Sequence, residues 1–212
     1  GVSLEEDVSC ADLFKLGDKD VLLCISHRMG CRYYIGEWKN EQFYPETHGQ
    51  MSWIDNTFFA PESMQDEKGR RIMWSWLLDF REFGVRLEQG WSGTMSLPRV
   101  LWLNENNEMR MDVPKEIESL RYRPVQQQDI EVKPNTEVTL EAIKGNSIEI
   151  ISNFEHSTAE EYGIKVCCSS DGKEQTVISY HPAEAALKVD TSNSGPKESP
   201  KHVESAPLEL AA

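Results

Sequence analysis

The sequence predicts an all-β chain in two parts, a run of antiparallel hairpins followed by a smaller strand-rich segment of sandwich type. Three observations predict it. Apolar runs rich in β-branched and aromatic residues alternate with short polar turns, as in "DLFKLGDKDVLLCISH" at Asp12–His27, which is the punctuation all-β folds require. Helical periodicity is poor, and only "PKEIESLRY" at Pro114–Tyr122 offers a turn or two of helix. The six tryptophans all fall between Trp38 and Trp102, so the composition changes past the middle of the chain.

The hairpins follow in order. The first turns at Gly17–Asp20, where Gly and Asp supply turn chemistry. The second, "CRYYIGEWKNEQFYPE" at Cys31–Glu46, turns near Lys39–Asn40. The third, Asn56–Asp79, turns at Asp66–Gly69, and the fourth, Gly93–Pro114, at Asn104–Asn107. A boundary is expected where the tryptophans stop: residues 1–122 form the first domain, 123–130 a linker and 131–212 the second. In the second part, Glu137–Ile143, Asn146–Phe154, Tyr162–Ser170, Thr176–Pro182 and Ala186–Asp190 alternate as short strands with one apolar face. Thr191–Pro207 reads as a loop and Leu208–Ala212 as the start of another strand. A sheet that stops there has an unpaired edge, so the chain is expected to be a piece of a longer one.

Composition excludes some partners. Against 22 Lys and Arg stand 36 Asp and Glu, a net charge of −14. Nucleic acid and anionic membrane both need a basic footprint, so neither is expected, and a neutral substrate such as a sugar is compatible. No window approaches the ~18 consecutive apolar residues of a membrane span. "GVSLEEDVSC" has neither the basic nor the apolar region of a signal peptide, which leaves localisation open. The cysteines, Cys10, Cys24, Cys31, Cys167 and Cys168, show no C-x-x-C spacing. They read as buried small hydrophobes, Cys24 and Cys168 in strand-like surroundings. The histidines lack metal spacing and no phosphate-binding loop occurs, so neither metal nor cofactor is expected.

Several stretches together resemble glycoside hydrolase family 32, the invertases, levanases and inulinases. "GWSGTMSLPR" at Gly90–Arg99 is similar to that family's G-W-x-G-x-M-S-L-P-R segment, "FFAPES" at Phe58–Ser63 to its F-Y-A-[APS]-x-[TS], and "SCADLF" at Ser9–Phe14 to its E-C-P-D-[FL]-[FL]. The resemblance implies a five-bladed β-propeller followed by a β-sandwich, here the third to fifth blades and part of the sandwich. It implies hydrolysis, with retention, of β-fructofuranosyl bonds in sucrose or fructo-oligosaccharides. Retention needs two carboxyl groups about 5 Å apart, one nucleophilic and one acid/base. The family's nucleophile stretch, W-x-N-D-P-N-G, is absent from the 212 residues, and so is its R-D-P.

The same resemblance puts Ser9 at the acid/base position. A serine hydroxyl cannot shuttle protons near neutrality. The substitutes are Glu62, expected half-buried among Phe58, Phe59 and Trp74 with its pKa raised by desolvation, and Asp7, which would share a strand face with Ser9. Candidate substrate contacts are Cys10, Asp12, Asp55, Asn56, Phe59, Ser63, Trp76 and Trp91. Each has a plainer alternative. Cys10 could simply pack, Asp12 could close a strand, Asp55 and Asn56 could form a turn, and the tryptophans could pack blade on blade. His27 reads as exposed or core-satisfied. Two other functions stay open: a carbohydrate-binding homologue without chemistry, favoured by Ser9, and a furanosidase acting on another furanoside, such as an arabinofuranoside.

Overall fold

The computed structural model describes residues 6–52, 57–155, 157–195 and 201–210. The chain divides into two compact units, Gly1–Ile117 and Glu118–Ala212. In the first, the expected hairpins form two antiparallel sheets. Strands β1 (Ser9–Leu16), β2 (Lys19–Ser26), β3 (Gly30–Lys39) and β4 (Gln42–Gln50) make an up-and-down sheet in the order β1-β2-β3-β4. A second sheet has the order β5-β6-β8-β9, from β5 (Phe58–Gln65), β6 (Arg71–Leu77), β8 (Arg99–Leu103) and β9 (Met109–Asp112), with the two-residue β7 (Thr94–Met95) pairing β6. Each is a propeller-type blade.

Alternation explains how the sheets meet. Val21, Leu23 and Ile25 on β2 are fully buried and join Ile35 and Met51 in one core with Phe58, Met73, Leu101 and Met109 of the second sheet. The opposite face of β2 is buried too, because Glu6 and Arg32 pack over Cys24. The side chains of Glu6 and Arg32 are 2% and 3% exposed, with Oε1 and Nε 3.7 Å apart.

One element corrects the sequence reading in this unit. An α-helix, α1, spans Phe83–Gln89, where no helical period was legible, and it ends on Gly90 in the left-handed region. Of its three apolar residues, Phe83 and Leu87 lie one turn apart and are 70% and 69% exposed, with Val85 between them off that face; a single turn of apolar spacing leaves no stripe to read. The expected helical turn after Pro114 is a 3-10 helix, Lys115–Leu120.

Among its described residues the second unit holds one antiparallel sheet, in the order β10 (Tyr162–Val166), β11 (Gln175–His181), β12 (Ala186–Asn193), β13 (Val203–Pro207). Three expectations fail here. Glu137–Ile143 and Asn146–Phe154 alternate but pair with no strand among the described residues, and alternation without a ladder partner does not make a strand. Thr191–Pro207 is not all loop: β12 runs on to Asn193 and β13 begins at Val203. The next strand expected at Leu208 does not form among the described residues. Cys167 and Cys168 lie beyond β10 and are exposed, whereas Cys24 and Cys31 are buried as read.

Candidate functional site

The stretch carrying Ser9 lies on β1, at one end of the first sheet. Its register slips by one residue between Ser9 and Asp12: Asp12 faces Leu23 and Ser9 faces Ile25. The slip is a β-bulge with Cys10 at φ 50°. Cys10 is therefore turned out and exposed, which corrects the packing alternative for it. β5 repeats the device. Its register slips between Phe59, opposite Trp76, and Glu62, opposite Trp74, with Ala60 at φ 46°. Ser9 corresponds to Phe59 and Asp12 to Glu62.

The bulge aims Asp12 at the second sheet. Its Oδ2 accepts the Ser63 backbone N–H at 2.9 Å and the Ser63 hydroxyl, and its Oδ1 accepts Arg71 Nη2 at 3.1 Å. Arg71 also donates to Ser63 Oγ at 2.7 Å and lies 3.9 Å from the centre of the Phe14 ring. Asp12 and Ser63, both expected against substrate, thus hold each other. Arg71, which the sequence reading did not single out, completes the clamp.

Glu62 sits differently from the expectation. It is exposed rather than half-buried, and no hydrogen bond or ion pair engages it among the described residues. The cause is alternation. Ser63 and Met73, a facing pair, point at the first sheet, so Glu62 and Trp74, one residue off, point away from it.

Asp7 lies two residues before Ser9, just ahead of β1. Carrying the Ser9–Ile25 register two residues further puts Asp7 opposite His27. The His27 backbone N–H donates to Asp7 Oδ1 at 3.2 Å, and Nδ1 of the ring bonds Oδ2. The bond from the ring holds the Asp7 carboxyl below its ordinary range. An ionised carboxylate orients a partner better than it donates a proton, and this weakens Asp7 as the acid. The imidazole in turn meets Phe59 edge-on at 5.4 Å, and Phe59 meets Trp76 edge-on at 6.4 Å. The result is a strip with a polar end, Asp7 and His27, and an aromatic end, Phe59 and Trp76.

The "GWSGTMSLPR" segment supports the aromatic end. A Cβ on Gly93, at φ 69°, would come within 2.0 Å of Trp76 Nε1 and 2.8 Å of the Leu77 carbonyl oxygen. Only glycine lets that loop pass so close behind the indole. Ser96, buried, accepts the Ser75 N–H on its hydroxyl at 3.0 Å and donates its own N–H to the Ser75 carbonyl at 2.8 Å. Arg99 covers the Phe58 ring at 4.5 Å. Trp91 stacks on the Arg81 guanidinium at 4.2 Å, and Arg81 is tied to Asp79; no described ring contact joins Trp91 to the strip. Trp53, Asp55 and Asn56 lie outside the described residues.

Chemically, the strip suits a sugar. The C–H face of a ring packs on indole and phenyl, while the Asp7–His27 end offers polar partners to hydroxyls. Comparison with known proteins identifies the family. The model of the glycosyl hydrolases family 32 N-terminal domain matches residues 4–113, and that of the family 32 C-terminal domain matches residues 116–212. A sucrose-6-phosphate hydrolase of Zymomonas mobilis is 28% identical over 94% of this chain and 40% of its own length. Fructan 1-exohydrolase w1 of Triticum aestivum is 28% identical over 61% of this chain and 23% of its own. The chain thus spans about two fifths of the Zymomonas protein. Among solved structures, fructan 1-exohydrolase IIa from Cichorium intybus aligns with a TM-score of 0.70 at 21% identity, covering 94% of this chain and 48% of that one.

Proposed function

The chain belongs to glycosyl hydrolase family 32, and on that premise we propose that it is part of a β-fructofuranosidase that cleaves fructosyl bonds of sucrose or fructans with retention. The observation carrying this reading is the strip beside Ser9. Two neighbouring blades repeat one bulge on their first strands, and between them His27, Phe59 and Trp76 form a polar-to-aromatic wall. Such a wall fits a furanose ring better than a charged or extended apolar ligand. The curated relatives are hydrolases of sucrose 6-phosphate and of fructan, and this supports the substrate class.

In a protein of family length, an aspartate or glutamate carboxylate from sequence outside these 212 residues would attack the anomeric carbon. The acid/base must come from elsewhere than Ser9, and Glu62 and His27 are the available groups. The 212-residue chain on its own is expected to release no fructose. The test is fructose release from sucrose, inulin and levan by the full-length protein. Turnover on any of them supports the reading, and its absence on all three refutes it. Ser9 favours a second reading, a homologue that binds without cleaving. Calorimetry with fructo-oligosaccharides separates the two, since that reading requires heat of binding with no product.

A further inference from the structure

The structure leaves the proton carrier of this site unassigned, and the geometry beside Ser9 supplies one. We propose that His27, oriented by Asp7, is the acid/base of this site in place of the carboxylic acid that Ser9 lacks, an assignment that rests on the fructosidase reading above.

Four features carry it. First, position: the bulge that follows Ser9 shifts the pairing so that His27 falls two residues from Ser9's own partner, Ile25, about 7 Å along the strand. Second, orientation: both Asp7 oxygens are spent on His27, one on its backbone N–H and one on ring Nδ1. With Nδ1–H donated to a carboxylate, proton exchange with a substrate runs through Nε2, the logic by which a carboxylate sets the tautomer of a catalytic imidazole. Third, surroundings: the ring abuts Phe59 and, through it, Trp76, so a sugar stacked on the aromatic end presents its linkage near the imidazole. Fourth, the rival: Glu62 faces away from the first sheet, and no group orients it among the described residues.

The chemistry balances. In the first half-reaction the proton on Nε2 passes to the glycosidic oxygen. The bond from that oxygen to the anomeric carbon breaks, its electron pair stays on the oxygen, and the nucleophilic carboxylate forms an ester to the carbon. In the second, a water gives one proton to neutral Nε2 while its oxygen bonds the carbon, and the ester opens to regenerate the carboxylate. Imidazole commonly serves both as general acid and as general base. Asp7 touches no reacting atom and is a positioning residue.

The experiment compares leaving groups in the full-length protein. Glucose leaving from sucrose needs a proton, and 4-nitrophenolate leaving from its β-fructofuranoside does not. For His27→Ala, kcat/KM on sucrose is expected to fall by ~10²–10⁴, the usual share of general acid catalysis, and on the nitrophenyl substrate by less than about tenfold. Azide, a nucleophile with no proton to lose, is expected to raise the variant's turnover and yield fructosyl azide. Asp7→Asn is expected to show the same leaving-group pattern at smaller amplitude. Equal losses on both substrates, or none, overturn the assignment; so does the leaving-group pattern appearing in Glu62→Gln instead. An unaltered protein that cleaves neither substrate overturns the fructosidase reading and the assignment with it. His27 and Asp7 have side chains 61% and 43% exposed, so neither substitution opens the core, and melting curves alongside confirm that the variants are folded.

Discussion

Replacing Asp12 by alanine removes the acceptor on which the two sheets are clamped. The Asp12 and Arg71 side chains are 12% and 16% exposed, so water does not readily take over the lost bonds. Asp12 accepts from the Ser63 N–H and hydroxyl and from Arg71, whose guanidinium stays fixed over Phe14 by a cation–π contact at 3.9 Å. Hydrogen bonds to a charged group are each worth about 1.5–3 kcal/mol, and breaking a buried pair from one side typically costs about 3–5 kcal/mol because the other charge is stranded. An Asp12→Ala loss near 3–4 kcal/mol is therefore expected, about a third of a typical domain stability of ~10 kcal/mol. Arg71→Ala should cost less, because Asp12 keeps both Ser63 donors. The double variant should fall short of the sum by on the order of 1–2 kcal/mol. Urea unfolding of the full-length protein, followed by tryptophan fluorescence, measures the cycle. An Asp12→Ala cost below about 1 kcal/mol, or additivity within ~0.5 kcal/mol, would refute the clamp.

Three further outcomes follow from the same geometry. Asp20 is buried: desolvation alone would raise its pKa, but the Trp38 N–H at 2.7 Å and the Lys15 ammonium at 2.9 Å outweigh burial and hold it below the ordinary range. A lowered folded-state pKa contributes stability that is complete above the unfolded value, ~3.9, and is lost as pH falls through the folded one. The melting-temperature gap between the unaltered protein and Asp20→Asn should thus be constant near neutrality and narrow only below about pH 4; a gap that widens on acidification contradicts this. Gly93→Ala places a Cβ against Trp76 Nε1 and in a left-handed backbone, a cost of about 1–3 kcal/mol. It should shift the tryptophan emission and lower the melting temperature, and an unchanged spectrum would show that the loop does not seat the indole. Burial pushes the Cys24 thiol up to about 11 and the Cys31 thiol up to about 12, whereas Cys10, Cys167 and Cys168 are exposed. Ellman's reagent at pH 8 should therefore label those exposed thiols quickly, and the buried pair only after denaturation.

Hairpins were the legible part of the first unit because their signal is local. Each turn carries its own Gly, Asn or Asp, and the strands between them are long, so β1 to β6 and β8 to β9 follow from the sequence. Strands of the second unit were half legible. Glu137–Ile143 has the alternation of β10 but no ladder, and β13 hides in a stretch rich in Lys, Ser and Pro. Pairing is a non-local property, and period alone cannot report it. Helix α1 escaped for the opposite reason: it is too short to show a period, and Gly90 at its C-terminal end was its one local signature.

The site was less legible than the fold because it depends on a bulge. With the turn at Gly17–Asp18, an unbroken ladder continues the pairing of Leu16 with Lys19 down to Asp12 with Leu23 and would set Asp7 against Arg28. That would be a surface ion pair, and nothing in it would point to chemistry. The extra residue at Cys10 moves the register by one and sets Asp7 against His27 instead. No residue type marks the bulge, since Cys10 and Ala60 both adopt positive φ where glycine would have advertised it. The two copies of the bulge also part company. In the first blade the residue after it, Asp12, is taken up by the neighbouring sheet. In the second its counterpart, Glu62, faces away with no partner among the described residues. Reading the proton donor from Glu62's place in a motif ignores the direction in which the strand points it, and that direction is what leaves His27 as the group beside the aromatic wall.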